Sequence, residues 1–373
     1  MTREEACAKR GEAMAAFAFC GEPAGCTPYG SGHINDTFLL QAETPDGACP
    51  YILQRINHSV YRDPEAVMEN IVGVTAFLRE KITAAGGDPM RETMNLVPLK
   101  TGGFLFRDSI GSYWRAYTFV SDAVSLDRAE SPQDFYQSAV AFGNFQRLLT
   151  DYPAQTLHET IADFHNTPDR FRKFCRAVKA DPFGRAASVQ PEIRFVCERE
   201  AFTGVLLRAQ EKGLLPLRVT HNDTKLNNVM LDSRTHRAVC VIDLDTIMPG
   251  FSVTDFGDSI RFGATTAAED EQDLSKVQFD FSLYRCYTEG FLAGCGGALT
   301  PEERFFLPEG AKMMTLECGM RFLTDYLEGD TYFRIHREHQ NLDRCRTQFK
   351  LVADMEACWD EMKKFAVSCG DHC

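Results

Sequence analysis

A chain of 373 residues is long enough for about two or three domains with hydrophobic cores of their own, so a fold of this size needs neither disulfides nor a structural metal. With 44% hydrophobic and 25% charged residues, the composition is globular and excludes a disordered or fibrous chain. The 53 acidic and 40 basic side chains leave a formal charge of -13, which disfavours a nucleic-acid partner.

The cysteine pattern and the apolar stretches point to a cytoplasmic protein. The 14 cysteines include no CxxC pair, so we expect buried reduced thiols rather than a zinc ribbon or a redox site. No apolar run approaches the roughly 20 residues that span a bilayer. The stretch from Ala13 to Cys20 is interpreted as part of a helix that begins at the capping pair Thr2 and Glu5 and stops at Gly21. We therefore expect neither secretion nor a membrane partner.

The first 120 residues have the pattern of a sheet with one helix. Two β-rich runs between Thr27 and Asn57 flank the turn-forming segment Thr44 to Gly47, which predicts a hairpin that begins with a glycine loop. Asp63 and Pro64 then begin a helix whose apolar residues recur at helical spacing as far as Ile82. Three short β-like runs follow, over 94–99, 103–107 and 112–120.

Beyond residue 122 the chain becomes mainly helical. Helical periodicity covers 133–149, 192–211, 271–290, 301–327 and 341–365, with a β-like insert at 217–220 and 238–242. We therefore expect an α+β, protein-kinase-like two-lobed fold. Its small β-rich N-lobe would span residues 1–120 and bind nucleotide, and its larger, mainly α-helical C-lobe would span residues 121–373 and hold the catalytic and substrate-binding residues.

The densest polar cluster follows the first strand of this insert. It begins His221-Asn222-Asp223, and Asn228 stands five residues after the aspartate, as in the catalytic loop of kinases. Phosphoryl transfer needs a carboxylate that orients and deprotonates the attacking hydroxyl, which suits Asp223, and a side-chain oxygen for magnesium, which suits Asn228. Lys225 is a further catalytic candidate, and His221 is expected to orient the loop.

Two later carboxylates compete for a second metal position. Asp243 follows an apolar segment and lies 20 residues after Asp223, which suits a ligand that bridges magnesium to the phosphates. Asp255 begins an Asp-Phe-Gly triplet like that of protein kinases, but it lies 32 residues after Asp223. Spacing therefore favours Asp243. We expect Asp255 to lie in a Gly-flanked turn and to accept hydrogen bonds from the backbone of the catalytic loop.

The HxDxxxxN loop, the Ile-Asp pair and the Gly250 to Phe256 spacing together resemble aminoglycoside phosphotransferases and choline kinases. More closely, HNDTKLNNVM, VIDLDTIMPG, DFGDSIR and YILQRIN, with Phe164 to Pro168, are similar to N-acetylhexosamine 1-kinases, and such matches run from about Tyr29 to Tyr332. The resemblance implies an ATP- and Mg²⁺-dependent kinase of the anomeric 1-hydroxyl of N-acetylhexosamines.

The same resemblance implies roles for individual residues. Asp223 would be the base and would meet the substrate, and Asp243 would bind magnesium. Arg321 and Tyr332 fall where that family contacts the sugar. The alternatives are a surface ion pair for Arg321 and a packed aromatic for Tyr332.

The glycine loop of the N-lobe is a candidate cover for the phosphates. Gly30 and Gly32 precede a β-like run, although a glycine pair in a hairpin is more often only a turn. His33 and Asp36, in and just after this loop, are candidates to face the sugar.

The third β-like run departs from the kinase pattern. It offers Gln54 and Arg55 where a kinase presents a lysine to the α- and β-phosphates. Alternation along a strand allows only one of the two to point into the cleft, and Arg55 is the candidate, with an exposed edge charge as its alternative. Adenine is expected at the backbone near Thr118 to Val120, where this lobe ends.

Other functions are weighed against a sugar kinase. A protein kinase is disfavoured because neither V-A-I-K nor A-P-E is present and the Asp-Phe-Gly triplet is wrongly spaced. Aminoglycoside, choline or homoserine acceptors stay open, since an acidic surface attracts cations. A non-catalytic pseudokinase module is disfavoured because Asp223, Asn228 and Asp243 are all present. The oligomeric state is left open.

Overall fold

The structure is a computed structural model that describes residues 3–30 and 34–369. The N-lobe contains an antiparallel five-stranded sheet in the order β1-β2-β3-β5-β4. Its strands are β1 (Glu22–Pro28), β2 (Asp36–Thr44), β3 (Gly47–Ile56), β4 (Phe106–Arg107) and β5 (Tyr113–Thr118). The helices beside it are α1 (Arg3–Ala16), α2 (Pro64–Ala84) and α3 (Pro89–Glu92).

Local sequence cues locate the hairpin and α2 correctly. Thr44 pairs with Gly47 across the predicted turn. The α2 helix begins at Pro64, and the side chain of Asp63 caps it by accepting a hydrogen bond from the backbone N–H of Ala66 at 3.0 Å. Both predictions are confirmed.

Other predictions for this lobe are wrong in detail. The α1 helix ends at Ala16 instead of reaching Gly21, because Phe17 forms a β-bridge with Leu99. The Thr2 cap lies outside the described residues. Residues 94–99 form isolated bridges rather than a strand, and α3 and β1 were not predicted.

The two faces of the sheet pack against different partners. On one face Leu53 and Trp114 form a core with Phe17, at the end of α1. On the other face Ile56 and the apolar side of α2 form a core that continues into the C-lobe. The C-lobe contributes Phe145, Val219, Leu244 and Ile247 to that core. The α2 helix therefore holds the two lobes together by hydrophobic burial.

The C-lobe is mainly helical. Its helices are α4 (Pro132–Leu148), α5 (Thr167–Ala180), α6 (Gln190–Cys197), α7 (Glu200–Thr203), α8 (Val205–Glu211), α9 (Ser252–Gly263), α10 (Phe281–Cys295), α11 (Pro301–Phe305), α12 (Leu307–Leu327), α13 (Gln340–Ala357) and α14 (Trp359–Cys369). One small sheet contains β6 (Ala123–Val124), β8 (Val229–Asp232) and β9 (Ala238–Val241), and β7 (Arg218–Thr220) pairs with β10 (Met248–Gly250). The predicted kinase-like two-lobed α+β fold is confirmed.

Helical periodicity located most of these helices but not their ends. The segment 192–211 is divided into α6, α7 and α8, and 301–327 and 341–365 are each divided in two. The helix predicted from residue 271 begins only at Phe281, because Asp280 accepts hydrogen bonds from the backbone N–H groups of Ser282 and Leu283 and caps it there. The α5 and α9 helices were not predicted, and α9 contains the Asp255 triplet that we expected in a turn.

No helix in the described part of the chain is long and apolar enough to cross a membrane. Cys240, Cys295 and Cys345 are buried, whereas Cys20 and Cys175 are exposed. The prediction of buried thiols therefore holds for only some of the cysteines.

The α9 and α12 helices cross in close contact at two glycines. A Cβ added at Gly257 would lie 2.3 Å from the backbone oxygen of Gly310, and a Cβ at Gly310 would lie 1.9 Å from that of Val253. Both obstacles are backbone atoms of buried helices, so neither can rotate away as a flexible side chain would. The crossing fixes the first turn of α9, which contains Asp255.

We expect Gly310→Ala to lower the free energy of unfolding by about 1–3 kcal/mol or more, because the added methyl group overpacks this crossing. Urea unfolding measures the change. The matched control is Gly11→Ala in α1, where an added Cβ meets no atom within 4 Å. It should leave stability unchanged or raise it by up to ~1 kcal/mol. Parent-like stability of Gly310→Ala would contradict the close crossing.

Candidate active site

Buried side chains hold the backbone of the loop that follows β7. Asp255, in the first turn of α9, accepts hydrogen bonds from the backbone N–H of His221 at 2.9 Å and of Asn222 at 2.8 Å. It also accepts one from Nε2 of Gln146 at 3.0 Å. Burial raises the pKa of Asp255 even though these donors favour its charged form. The predicted contact of Asp255 with the loop backbone is confirmed, from a helix rather than a turn.

His221 orients the loop. Its Nδ1 accepts a hydrogen bond from the backbone N–H of Asp223 at 3.3 Å, so the proton of the neutral ring is on Nε2. Nε2 then donates to the backbone oxygen of Ile242 at 2.9 Å. The buried ring therefore links the catalytic loop to the segment that leads into Asp243, which is a positioning role.

The structure brings Asp223, Lys225 and Asn228 into direct contact. Nζ of Lys225 lies 2.7 Å from Oδ1 of Asp223. Nδ2 of Asn228 donates to the backbone oxygen of Asp223 at 2.8 Å and to its Oδ2 at 3.1 Å. Burial opposes the charge of Lys225, but the attraction of Asp223 outweighs it and raises the pKa of the lysine. The carboxylate of Asp223 is 28% exposed, so an acceptor hydroxyl in the cleft can reach it.

Asp243 follows β9 and has the chemistry of a metal ligand. Burial and the neighbouring carboxylates of Asp245 and Asp223 raise its pKa to about 6. Crowded carboxylates attract a divalent cation. Nδ2 of Asn228 is directed at Asp223, which turns its amide oxygen the other way and makes that oxygen a second hard donor of the kind Mg²⁺ prefers. Among the described residues, no three His, Cys, Asp or Glu side chains form a metal site, so a metal here would need phosphate oxygens or water as well.

Sequence analysis missed a buried ion pair beside Asp243. Arg115 of β5 and Asp245 each have 1% exposed side chains and pair across the two lobes. A signal was present, because each is a charge within an apolar segment, where burial requires a partner. What the sequence did not show is that these two are the partners.

Strand alternation separates Gln54 from Arg55. Gln54 is in register with Arg115, and its Oε1 accepts a hydrogen bond from Nε of Arg115 at 2.9 Å. Arg55 is in register with Trp114 and lies on the opposite face, where its Nε donates to Oδ2 of Asp36 at 2.7 Å. The structure therefore brings Arg55 and Asp36 to each other, and it places Gln54 rather than Arg55 on the face of the cleft.

The glycine loop is only partly described. Gly30 has a φ of 78°, a conformation that favours glycine, whereas Gly32 and His33 lie outside the described residues. Asn35, just beyond them, reaches the C-lobe, where its Nδ2 donates to Oδ2 of Asp245 at 2.5 Å. The loop is therefore connected to the segment that follows Asp243.

The connection between the lobes begins at Thr118, the last residue of β5. The backbone N–H of Thr118 donates to the backbone oxygen of Asn95 at 2.9 Å, and the backbone N–H of Phe119 donates to the backbone oxygen of Pro50 at 3.3 Å. Val120 is half-buried between β5 and β6. Adenine binding at Thr118 and Val120 stays a prediction.

Arg321 of α12 lies beside Tyr332. Nη2 of Arg321 is 3.4 Å from Oη of Tyr332, and the guanidinium carbon is 5.8 Å from the ring centroid. Asp325 holds the loop that presents this ring, because its carboxylate accepts hydrogen bonds from the backbone N–H of Tyr332 at 2.8 Å and of Phe333 at 2.9 Å. Tyr332 is 70% exposed, so its ring and hydroxyl are accessible to a ligand.

A chain of charges leads from this pair towards the catalytic loop. Glu317, one turn before Arg321, is 3.1 Å from Nδ1 of His165. Burial opposes the charge of Glu317, but His165 and Arg321 outweigh it and lower its pKa. Burial opposes the charge of Asp258, but Arg261, Lys225 and, to a smaller extent, His165 outweigh it and lower its pKa. Asp258 accepts a hydrogen bond from the backbone N–H of Thr224 at 3.1 Å. His165, Glu317 and Asp258 were not among the predicted site residues.

Comparison with known proteins identifies the family. A family model described as the phosphotransferase enzyme family (APH) matches residues 25–289. The chain belongs to the APH phosphotransferase family. The match extends over the N-lobe sheet, the catalytic loop and most of α10, so an APH fold positions every element of the site that precedes α12.

Solved structures share the APH fold along most of the chain. The microcompartment-associated aminopropanol kinase has a TM-score of 0.63 at 14% identity, over 96% of this chain and 98% of that one. An aminoglycoside phosphotransferase from Alicyclobacillus acidocaldarius has a TM-score of 0.57 at 13% identity, over 95% and 93%. Aminoglycoside 2'-phosphotransferase-IIIa in its GDP complex has a TM-score of 0.53 at 11% identity, over 95% and 99%. At these identities the similarity shows the fold alone.

We expect Asp223→Asn to lower turnover by about two to four orders of magnitude, because the amide cannot accept the proton of the attacking hydroxyl. Steady-state ADP release measures turnover, and a thermal unfolding curve that matches the parent is the control for folding. Turnover within a few fold of the parent would show that Asp223 is not the base.

Replacing Asp243 should affect activity, whereas replacing Asp255 should affect stability. We expect Asp243→Ala to abolish activity at every magnesium concentration that activates the parent. Asp255→Ala should instead lower the free energy of unfolding by about 3 kcal/mol or more, since it leaves buried donors unpaired. Metal titration of activity and urea unfolding of both variants separate the effects. The opposite pattern, a folded Asp255→Ala that has lost its metal dependence, would reverse the assignment.

Proposed function

We propose that this APH phosphotransferase is an ATP- and magnesium-dependent kinase that phosphorylates the 1-hydroxyl of an N-acetylhexosamine. The observation that carries the proposal is the charge balance beside the catalytic loop. Asp258 accepts a hydrogen bond from Nε of Arg261 at 3.0 Å, and Glu317 is bonded to His165. Carboxylates that are already engaged favour an uncharged acceptor over a cationic one.

The groups near Arg321 are suited to hydrogen-bonding an uncharged sugar. Burial, together with the like charge of Arg321, lowers the pKa of Arg170. Nε of Arg170 and Nε2 of His165 are buried, and neither has a hydrogen-bond partner among the described residues. The accessible groups beside them, the guanidinium of Arg321 and the hydroxyl of Tyr332, suit a ligand that offers several hydroxyl and carbonyl groups. The resemblance to N-acetylhexosamine 1-kinases adds Arg321 and Tyr332 as sugar contacts.

The proposed reaction transfers the γ-phosphoryl group of ATP to the acceptor hydroxyl. Asp223 orients that hydroxyl and takes its proton while the oxygen attacks phosphorus and ADP leaves. Lys225, whose Nζ is 2.7 Å from Oδ1 of Asp223, would stabilise charge on the transferred group. Asn228 and Asp243 would hold magnesium, which neutralises the phosphates when bound. Because the sugar C–O bond is not broken, the product keeps the anomeric configuration of the acceptor.

Nucleotide use is supported by related structures. A spectinomycin phosphotransferase was solved with ADP, and aminoglycoside 2'-phosphotransferase-IIIa with GDP. In this chain we propose Gly30 and Gly32 as the cover of the phosphates and the backbone near Thr118 to Val120 as the adenine contact. His33 stays a proposed sugar contact, whereas the pairing of Asp36 with Arg55 weakens its case.

A second candidate function has one observation in its favour. A cavity of about 470 Å³ lies beside the catalytic loop, and it is large enough for a small acceptor. Its walls include Asp127 and Glu130, from the segment before α4. These acids suit a cationic amino alcohol, and a structural neighbour is described as an aminopropanol kinase. Such an acceptor is the alternative to the sugar.

We expect N-acetylglucosamine or N-acetylgalactosamine to yield the 1-phosphate, with kcat/KM at least about tenfold above glucose and galactose. A site that forms hydrogen bonds with the acetamido group has polar atoms that stay unpaired when glucose or galactose binds, because these sugars lack that group. ADP release over a panel that includes choline, 1-amino-2-propanol and kanamycin measures preference, and phosphorus NMR identifies the product. A 6-phosphate, or preference for any of the cations, would reject the sugar 1-kinase.

The same panel tests Arg321 and Tyr332. Arg321→Ala and Tyr332→Phe should raise KM for the amino sugar and leave KM for ATP nearly unchanged. Arg285→Ala is the matched control, since Arg285 also packs over an aromatic ring, that of Phe365. Unchanged sugar kinetics in both site variants would remove this pair from the acceptor site.

A further inference from the structure

The N-lobe lacks the cation that kinases use on their third strand. A kinase presents a lysine from that strand to the nucleotide phosphates. Here β3 contains no lysine, and its one cation, Arg55, lies on the face away from the cleft. The cleft face presents Gln54, which has no charge. The cleft face of β3 therefore carries no cation of its own.

Arg115 of the neighbouring strand β5 brings a cation to Gln54. It stands in register with Gln54, and its Nε and Nη2 donate to Oε1 of Gln54 at 2.9 and 2.5 Å. Nε2 of Gln54 in turn donates to Oγ1 of Thr37 at 2.9 Å. The third nitrogen, Nη1, pairs with Asp245. The guanidinium group is thus held by partners from two different lobes.

Asp245 has a second connection to the N-lobe. Oδ2 of Asp245 accepts a hydrogen bond from Asn35, whose Oδ1 accepts one from the backbone N–H of Asn57 at 2.9 Å. Asp245 lies only two residues beyond Asp243, in the short helical turn Leu244–Thr246. Whatever fixes Asp245 therefore also restricts the backbone that presents Asp243.

Burial decides how Arg115 acts. Its side chain is only 1% exposed, as is that of Asp245, so the guanidinium is enclosed by its partners rather than open to the cleft. Removing one partner of a buried ion pair leaves the other charge uncompensated, which is far costlier than losing an exposed pair. Without Arg115, the unpaired negative charge of Asp245 would repel the carboxylate of Asp243 and displace the segment that contains both residues.

We propose that Arg115 of β5 is a positioning residue for the metal-binding side of the site, and not a replacement for the phosphate-binding lysine. It neutralises Asp245 and thereby holds the segment that presents Asp243, which would bind magnesium, without itself contacting phosphate. The inference rests on the nucleotide and magnesium use of the proposed function but not on the identity of the acceptor.

The test compares ATP binding with and without metal, by calorimetry on the full chain. Arg115→Met should leave the affinity for ATP in EDTA within about threefold of the parent. The factor by which magnesium increases the affinity for ATP should fall by about 10- to 100-fold. Arg115→Met/Asp245→Asn removes both charges and should recover at least half of that loss on a logarithmic scale. The double variant also keeps the test available if Arg115→Met alone does not fold.

Lys81→Met is the matched control, because Lys81 also pairs across the two lobes, with Asp151 at 2.6 Å, but on the surface. It should leave both affinities unchanged. Equal weakening of ATP binding with and without magnesium in Arg115→Met would mean direct phosphate contact and would overturn the proposal. A folded Arg115→Met with parent affinities, or a double variant no better than the single one, would overturn it as well. No acceptor is present in these measurements, so a wrong acceptor assignment leaves them unaffected.

Discussion

Asp255, buried in the first turn of α9, determines where the catalytic loop lies. Its carboxylate accepts hydrogen bonds from two backbone N–H groups of the loop. Its backbone oxygen accepts one from the hydroxyl of Thr224 at 2.6 Å. Buried N–H groups need acceptors, so the loop cannot leave this carboxylate without losing several hydrogen bonds together. Asn222 adopts a left-handed φ of 64° within this arrangement. The position of Asp223 thus depends on α9, and that of α9 on its glycine crossing with α12.

Three carboxylates share the centre of the site, and their partners distinguish them. Asp223 is paired with Lys225, which reaches it from the same loop. Asp245 is paired with Arg115, from the other lobe. Burial, together with the charges of these two acids, raises the pKa of Asp243. The two cations are thus paired with Asp223 and Asp245, and Asp243 is the carboxylate that we propose for magnesium.

The elements predicted well are those whose signals are local. The α2 helix has a capping aspartate, a first-turn proline and one apolar stripe, and all three lie within its own sequence. The α9 helix has no side-chain cap at its N-terminus, and every residue from Ser252 to Arg261, polar ones included, is buried. It also contains Gly257 and β-branched residues, which are poor helix formers. Packing against α12 makes it a helix, and a single sequence does not contain that information.

The same division applies to the site. The spacing of Asp223, Asn228 and Asp243 predicted a phosphotransferase, which agrees with the family match, and the contact of Asp223 with Asn228 lies within one short loop. The face of β3 that meets the cleft and the partner of Asp245, by contrast, were decided by the tertiary structure alone. Arg115 and Asp245 are 130 residues apart, and Arg115 and Gln54 are 61 apart. Residues of one loop are in contact because they are close in the sequence. Buried charges that are far apart in the sequence pair only after tertiary packing has fixed which faces of the strands point inward.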